Sequence, residues 1–219
     1  MTEPASSSAP EWAYRLGWGH DGLVALAPEC DVVVVVDVLR FSSAVSAAVE
    51  AGVRVDPFPW GDLRAAEHAE RIGAALAVEA AERSVPFVLA GCLRNATATA
   101  RRALVLAHGG TIGVVAAGER WHDVDGPLRP AVEDLIGAGA VLHALDPAGS
   151  VAPPCCDPEA RAARAAFLDA RPLLAEVLAA TRTGQELIAR GDADDVSTSA
   201  ELDATYVAAQ LIDGTFVAV

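Results

Sequence analysis

The run Val32–Val36 is the feature that most constrains the fold of this chain. Its five consecutive valines cannot form a half-exposed strand, because such a strand alternates apolar and polar residues. The run predicts a strand buried on both faces at the centre of a parallel sheet. Asp37 follows directly, and a helix-like stretch is expected at residues 44–51. Open parallel sheets bind ligands at the carboxyl ends of their strands, so Asp37 is expected at a binding edge.

The same unit, an apolar strand followed by a polar loop and an alanine-rich helix, recurs along the chain. Further strands are predicted at residues 53–58, 86–90 and 111–117, and further helices at 63–77, 96–107 and 131–145. Strands that alternate with helices of this length indicate parallel βαβ units. We therefore expect an α/β fold with three layers, α/β/α, around a mostly parallel central sheet.

The rest of the chain completes this organisation. From Pro158 onward the sequence predicts helices with a break at Pro172, and residues 215–219 predict a last edge strand. Residues 1–14 have the composition of a flexible tail. A chain of 219 residues is most simply one domain, so we expect residues 15–219 to form a single unit.

Charge limits the partners that this chain can have. The formal net charge is −14, and every basic residue apart from histidine is an arginine. Such a surface repels polyphosphate, which argues against nucleic acid and anionic membranes as partners. A local arginine cluster can still hold a small anionic substrate, because nearby charges outweigh screened distant ones.

The sequence also leads to expectations about location and assembly. The sequence contains no apolar run of membrane-spanning length and no secretory pattern near its start, so we expect a cytoplasmic protein. Its four cysteines lack the spacing of metal sites or redox pairs, and they are expected to be reduced thiols. The alanine-rich helical surface suits a homodimer.

Three predicted strand exits carry polar side chains, and parallel strands bring those exits to one edge. The exits contribute Asp37, Arg40, Ser42 and Ser43; then Arg94, Asn95 and Thr97; then Glu119, Arg120, Glu133 and Asp134. Helix amino termini and arginines bind phosphate well. Carboxylates would repel an anionic substrate unless a divalent cation lay between them, and Asp37 with Glu133 or Asp134 offers oxygen ligands of the kind Mg²⁺ prefers. Phosphoryl transfer to water uses all of these groups.

Structural roles compete with these functional ones. Ser42, Ser43 and Asn95 are also good helix caps, and Glu133 and Asp134 would favour a helix amino terminus whatever the chemistry. Asp37 is the hardest to explain structurally. A carboxylate at the end of an all-valine strand is costly to bury unless it is paired or binds a ligand.

A glycine motif near the start has to be judged by its context. Gly17, Gly19 and Gly22 match the GxGxxG fingerprint of dinucleotide-binding proteins, which must follow a strand and open a helix. Here the motif precedes the predicted strands, so we predict a loop. A nucleotide- or dinucleotide-binding enzyme is the function that this motif would indicate if it followed a strand.

Several blocks together resemble a known family. Residues 32–52, 89–100, 116–120 and 128–141 are similar to the signature blocks of the 2-phosphosulfolactate phosphatases, and residues 184–203 are similar to that family's closing helical region. The resemblance implies a three-layer fold and Mg²⁺-dependent release of phosphate from 2-phospho-3-sulfolactate, a step of coenzyme M synthesis. It also points to Asp37, Arg40, Ser43, Asn95 and Glu133 as functional positions.

These arguments lead to one assignment and one alternative. We expect Asp37 and Glu133 to be catalytic, with Asp37, Glu133 and Asp134 as Mg²⁺ ligands. The expected substrate-binding residues are Arg40, Ser42, Ser43, Arg94, Asn95, Thr97, Glu119 and Arg120. Relatives have a longer segment where this chain has only residues 78–85, which leaves open a non-catalytic anion-binding relative that has lost part of the pocket.

Overall fold

A six-stranded sheet forms the centre of the computed structural model, which describes residues 12–57, 71–121, 126–149 and 155–219. The strands of the described residues are β1 (Tyr14–Trp18), β2 (Val32–Val36), β3 (Phe87–Gly91), β4 (Ile112–Ala116), β5 (Glu119–Arg120), β6 (Leu128–Arg129), β7 (Ala209–Ile212) and β8 (Thr215–Ala218). The sheet has the order β1-β4-β2-β3-β7-β8, and β5 and β6 pair separately as a short antiparallel ribbon. The first four strands in that order are parallel, and β7 and β8 are antiparallel additions at one edge. The predicted α/β class and mostly parallel sheet are confirmed.

Helices cover both faces of this sheet. They are α1 (Gly19–Leu26), α2 (Phe41–Glu50), α3 (Arg71–Glu82), α4 (Ala96–Ala107), α5 (Val132–Leu145), α6 (Pro158–Ala170), α7 (Leu174–Ala180), α8 (Arg182–Arg190) and α9 (Ala193–Ser199). The predicted break at Pro172 is confirmed, because the 3₁₀ turn Arg171–Leu173 separates α6 from α7.

The valine run supplies both halves of the core. Each of its five residues is 0% exposed, and β2 lies between β4 and β3. Successive side chains of a strand point to opposite faces. Val32, Val34 and Val36 accordingly pack in the core layer that contains residues of α4 and α5, whereas Val33 and Val35 pack with residues of α1, α2 and α3.

Several local predictions differ from the structure. The strand predicted at 53–58 is wrong over its described part, since residues 53–57 form only an isolated bridge between Val55 and Phe216. Val53 is 54% exposed there, so the segment follows α2 over the surface to cover the edge strand β8. Helix α3 continues to Glu82, beyond the predicted end at residue 77, and the start predicted at residue 63 lies outside the described residues. The short junction at residues 78–85 is therefore the last part of α3 and the turn into β3.

The loop predicted at the GxGxxG motif is also wrong, because the motif ends β1 and opens α1. The glycines allow strand and helix to pack closely: a Cβ on Gly22 would lie 2.8 Å from the Cα of Gly17. Gly19 has a φ of +53°, and its hydrogen faces the Leu128 side chain, which would lie 3.1 Å from an added Cβ. β1 lies at the edge of the sheet and pairs with β4 rather than β2. The motif thus has the local geometry of the fingerprint without its central position in the sheet.

Residues 1–11 of the predicted tail lie outside the described residues, and Tyr14 already belongs to β1. None of the described helices combines the length and the apolar character that a membrane crossing requires.

Candidate active site

Asp37 lies at the carboxyl end of β2 and is 4% exposed. Its Oδ1 accepts a hydrogen bond from the backbone N–H of Phe41, the first residue of α2, at 3.3 Å, and its Oδ2 accepts one from the N–H of Gly73 at 3.1 Å. A Cβ at position 73 would lie 2.7 Å from Oδ2, so only glycine permits this approach. Two backbone amides therefore hold the carboxyl group at the sheet edge.

The surroundings of Asp37 favour its protonated form. Burial is the main cause of a pKa raised to about 8, and the negative charges of Glu119 and Glu133 add to it. The two backbone hydrogen bonds act in the opposite direction. No described cation offsets the acids that face this carboxyl group strongly enough to reverse the shift.

Asp134, in the first turn of α5, joins two strand exits. Its Oδ1 accepts from the N–H of Val38 after β2, and its Oδ2 accepts from the N–H of Gly118 after β4, both at 2.8 Å. Burial, followed by the charges of Asp37 and Glu133, raises its pKa well above the usual range. Because both oxygens are used by backbone amides, the structure gives Asp134 the position of a brace between the two loops.

Glu133, the neighbour of Asp134 on α5, differs from it in hydrogen bonding. The residue is 2% exposed, yet neither carboxylate oxygen has a hydrogen-bond partner among the described residues. Burial of an unsatisfied carboxylate is costly, and such a group in a native protein calls for an explanation such as a catalytic role or a bound ion. Glu133 is thus a buried acid of the described residues whose two oxygens remain available to a ligand.

Glu119 completes the group from β5. Burial is the first cause of its pKa being raised to about 7; Arg129 lowers the pKa, and Glu133 and Glu186 raise it. We refer to Asp37, Glu119, Glu133 and Asp134 as the carboxylate cluster. The predicted meeting of side chains from separate strand exits is thereby observed for the acids.

The cluster has oxygen donors of the kind that Mg²⁺ prefers, but it does not form a closed cage. Among residues 12–57, 71–121, 126–149 and 155–219, no group of three or more acids, histidines or cysteines is arranged to hold a metal ion. Mg²⁺ commonly uses only one or two protein carboxylates and completes its shell with water and substrate phosphate. The unpartnered oxygens of Glu133, beside Asp37, fit that sparser mode of binding.

The predicted arginines lie apart from the carboxylate cluster. Arg40 forms ion pairs with Asp195 and, at 3.6 Å, with Asp192, both of which flank or lie in α9. Arg94 is 7% exposed and pairs with Glu201 and Glu50.

Arg120 is exposed on the β5–β6 ribbon, where its Nη1 donates to the carbonyl of Gly126 at 3.3 Å. The expected convergence of cations and acids is therefore not observed for these three arginines in the described residues.

Helix α2 begins at Phe41 rather than at the predicted residue 44, so Ser42 and Ser43 lie in its first turn, and no side chain caps the helix. Ser42 Oγ donates to the carbonyl of Val35 at 3.1 Å and accepts from the N–H of Asp37 at 3.0 Å. Ser43 Oγ donates to the carbonyl of Val38 at 2.8 Å. The intervening peptide bond between Leu39 and Arg40 is cis.

The polar residues after β3 also form hydrogen bonds within the protein. Asn95 precedes α4 without capping it through its side chain: Oδ1 accepts from the N–H of Cys92 at 2.9 Å, and Nδ2 donates to the carbonyl of Ala90 at 3.1 Å. Cys92 is fully buried, and burial raises its pKa, which favours packing over a nucleophilic role. Thr97 uses both its N–H and its hydroxyl to bind Asp203, at 2.8 and 2.7 Å.

A small cavity lies beside the loop after β2. It has a volume of about 210 Å³ and lies between α2 and α9, where Arg40, Ser43, Asp195 and Thr198 line it. The cavity brings two of the predicted substrate-binding residues to one surface, together with an acid that the sequence did not indicate.

The comparison with known families decides the relationship of this chain. A family model described as 2-phosphosulpholactate phosphatase matches residues 72–213, which is more than half of the chain. The chain belongs to this family. No curated protein matched the chain.

The family match covers the predicted positions unevenly. It includes Arg94, Asn95, Thr97, Glu119, Arg120, Glu133 and Asp134. It begins after Asp37, Arg40, Ser42 and Ser43, so their assignment depends on the resemblance of the first block and on their position in the fold.

Two residues of the site escaped prediction from sequence. Gly73 lies in α3, 36 positions from the carboxyl group that it approaches, and nothing local to it indicated that contact. Arg129 lies directly opposite Glu119 in the β5–β6 ribbon. Its closeness to Glu133 in sequence was the available signal, but the two-residue strands that set the pairing are too short to recognise from a pattern.

Proposed function

We propose that this protein is a Mg²⁺-dependent phosphatase that hydrolyses a small anionic phosphate monoester resembling 2-phospho-3-sulfolactate, giving the hydroxy acid and phosphate. The observation that carries the proposal is Glu133, a buried carboxylate with two unpartnered oxygens beside Asp37 and Glu119. Family membership supports the phosphatase class. A role in coenzyme M synthesis, a cytoplasmic location and a homodimer belong to the same proposal.

Glu133 is the residue that would hold the metal ion, because both oxygens of Asp37 already accept backbone hydrogen bonds and its raised pKa keeps it protonated, and Asp134 would brace the loops. When bound there, Mg²⁺ supplies positive charge that polarises the phosphoryl oxygens and offsets the acids around them. The unpartnered oxygens of Glu133 fit this role better than those of Asp134, which already accept two backbone hydrogen bonds.

The raised pKa of Asp37 suits proton transfer. Hydrolysis of an alkyl phosphate leaves an alkoxide, which departs more readily when an acid donates a proton to it. With a pKa of about 8, Asp37 retains its proton near neutral pH. We assign the proton for the leaving oxygen to Asp37, and Glu119, with a pKa of about 7, is the second acid able to exchange a proton there.

The remaining predicted residues would hold the substrate. Arg40 and Ser43 share the 210 Å³ cavity, where an anionic group of the substrate would compete with Asp195 for the guanidinium. Ser42 and Asn95 would keep the two loops in shape through their bonds to backbone groups. Arg94, Thr97 and Arg120 stay in the proposed substrate-binding set as the more distant members.

The test is a phosphate-release assay on 2-phospho-3-sulfolactate and a panel of small phosphorylated hydroxy acids, with Mg²⁺ or with a chelator. Asp37→Asn and Glu133→Gln should each lower kcat by about 100-fold or more, as expected when a proton donor or metal ligand is removed. Glu176→Gln removes an exposed acid of α7 and serves as the matched control. Wild-type activity in Asp37→Asn would contradict its catalytic assignment. Full activity in the presence of chelator would contradict the proposed dependence on Mg²⁺.

One observation favours a second candidate. Arg40 and Arg94 form ion pairs with acids outside the carboxylate cluster, so neither is placed to hold a substrate beside the catalytic acids, as expected of a relative that has lost turnover and binds an anion through other groups. Calorimetry that detects binding of inorganic phosphate, combined with no turnover across the panel, would select this non-catalytic function instead.

A further inference from the structure

The carboxylate cluster needs a nearby cation if an anionic substrate is to enter it. Arg40 and Arg94 form ion pairs with acids outside the cluster, and Arg120 is exposed and bonds to the Gly126 carbonyl. The question is therefore which arginine of the described residues faces the cluster itself.

Arg129 is that residue. It is the register partner of Glu119 in the β5–β6 ribbon, and residues directly opposite each other in an antiparallel pair project to the same face. The electrostatic effect of Arg129 on Glu119 is the largest of any charged neighbour, consistent with this placement. Glu133 follows Arg129 after three intervening residues, so one short segment presents both a cation and an acid.

Arg129 retains an unused donor. Its Nε is buried and has no hydrogen-bond partner in the part of the chain that the structure describes. The residue as a whole is partly exposed. An unpaired buried donor on Arg129 and two unpaired buried acceptors on Glu133 thus lie on the segment that borders the cluster.

A hydroxyl of α8 and the aromatic ring of Trp121 hold the Arg129 guanidinium in place. Arg129 Nη2 donates to Thr183 Oγ1 at 3.1 Å, and Thr183 is 4% exposed. The guanidinium carbon lies 5.8 Å from the centroid of the Trp121 ring, over which Arg182 also lies at 5.6 Å. A guanidinium fixed by a hydroxyl and an aromatic face loses less conformational entropy when it binds a ligand.

We propose that Arg129 binds the phosphoryl group of the substrate beside Glu133 and Glu119, with Thr183 as its positioning residue. The inference rests on the proposed function and adds a substrate-binding residue to it. A planar guanidinium binds a tetrahedral oxyanion through two parallel hydrogen bonds, which a lysine cannot reproduce.

The experiment measures binding of inorganic phosphate by calorimetry, in Mg²⁺ buffer, together with KM and kcat in the phosphate-release assay. Arg129→Gln should weaken phosphate binding by about tenfold or more and raise KM by a similar factor, with a smaller change in kcat. Arg129→Lys should recover part of the loss, because it restores charge without the paired donors. Thr183→Val should give a smaller effect in the same direction, since it loosens the arginine without removing it.

Arg161→Gln, an exposed arginine of α6, makes the same change in net charge and should bind phosphate as the wild type does. Thermal unfolding of each variant separates loss of binding from loss of fold, and Arg129→Lys supplies the measurement if Arg129→Gln is unfolded. Unchanged phosphate binding in both Arg129 variants, or a larger loss in Arg120→Gln, would overturn the inference while leaving the phosphatase proposal intact. A wild-type protein that neither binds phosphate nor hydrolyses any ester would overturn both.

Discussion

The carboxylate cluster and the ion pairs at the C-terminal helices differ in how deeply their acids are buried and in whether an opposite charge accompanies them. In the cluster, Asp37, Glu133 and Asp134 are between 2% and 4% exposed and face other acids. At the C-terminal helices, Arg40 and Arg94 meet Asp195 and Glu201, whose side chains are 49% and 55% exposed. The buried acids of the cluster thus lack an opposite charge, whereas the exposed acids at the C-terminal helices are paired with arginines. Stability alone does not favour this arrangement, because a buried unpaired charge is costly and an exposed ion pair contributes little. A bound cation or a bound proton would supply the positive charge that the buried acids of the cluster lack.

The largest expected effect separates two neighbours within the cluster. Asp134→Ala leaves the buried amides of Val38 and Gly118 without acceptors, so the free energy of unfolding should fall by about 2–4 kcal/mol. Glu133→Gln removes a buried, unpartnered charge and breaks no hydrogen bond among the described residues, so the free energy of unfolding should stay unchanged or rise by up to about 2 kcal/mol. Denaturant unfolding of both variants makes the comparison, and equal losses would show that the two acids are equivalent structural residues.

The pH dependence of stability gives a smaller effect that distinguishes the two regions. Asp37, Glu119 and Asp134 have raised pKa values, so the folded state keeps protons that the unfolded state releases above about pH 4. Their contribution to stability is complete below that pH and is lost as the pH rises through about 7 for Glu119 and about 8 for Asp37. In metal-free buffer, Tm should therefore fall by several degrees between about pH 5 and about pH 8.5. Asp37→Asn should flatten this dependence; an unchanged slope would place the titration elsewhere.

The smallest effect is expected at the C-terminal helices. Asp195→Asn breaks the ion pair with Arg40, but exposed pairs contribute little, so the free energy of unfolding should change by less than about 1 kcal/mol. Glu201→Gln provides a second measurement on the pair with Arg94. A loss as large as that of Asp134→Ala in either variant would remove the contrast between the two regions.

Regular periodicity explains which parts of the fold could be predicted from sequence. The strand Val32–Val36 and the helix at residues 96–107 have their predicted bounds, because an all-apolar run and an alanine-rich segment before paired glycines are local signals. β1 and β7 were missed, since each is short and gains its partner from a distant strand.

The candidate site was predictable in its acids and not in its cations. Parallel strands place Asp37, Glu119, Glu133 and Asp134 at one edge whatever the side-chain conformations, so topology alone brings them together. The direction of an arginine depends on the acids within its reach. Asp195 and Glu201 draw Arg40 and Arg94 away, and those acids are separated from them by more than 100 residues in sequence. Arg129 depends in the same way on a cross-strand register that no local pattern reveals.

The double contact of Asp134 has a consequence for engineering this scaffold. One side chain ties the segment after β2 to the segment after β4, so a displacement of either segment pulls on the other. Transplanting a single loop from another enzyme would leave half of that tie without its counterpart. Exchanges intended to alter substrate preference should therefore move both segments, and the start of α5, as one cassette.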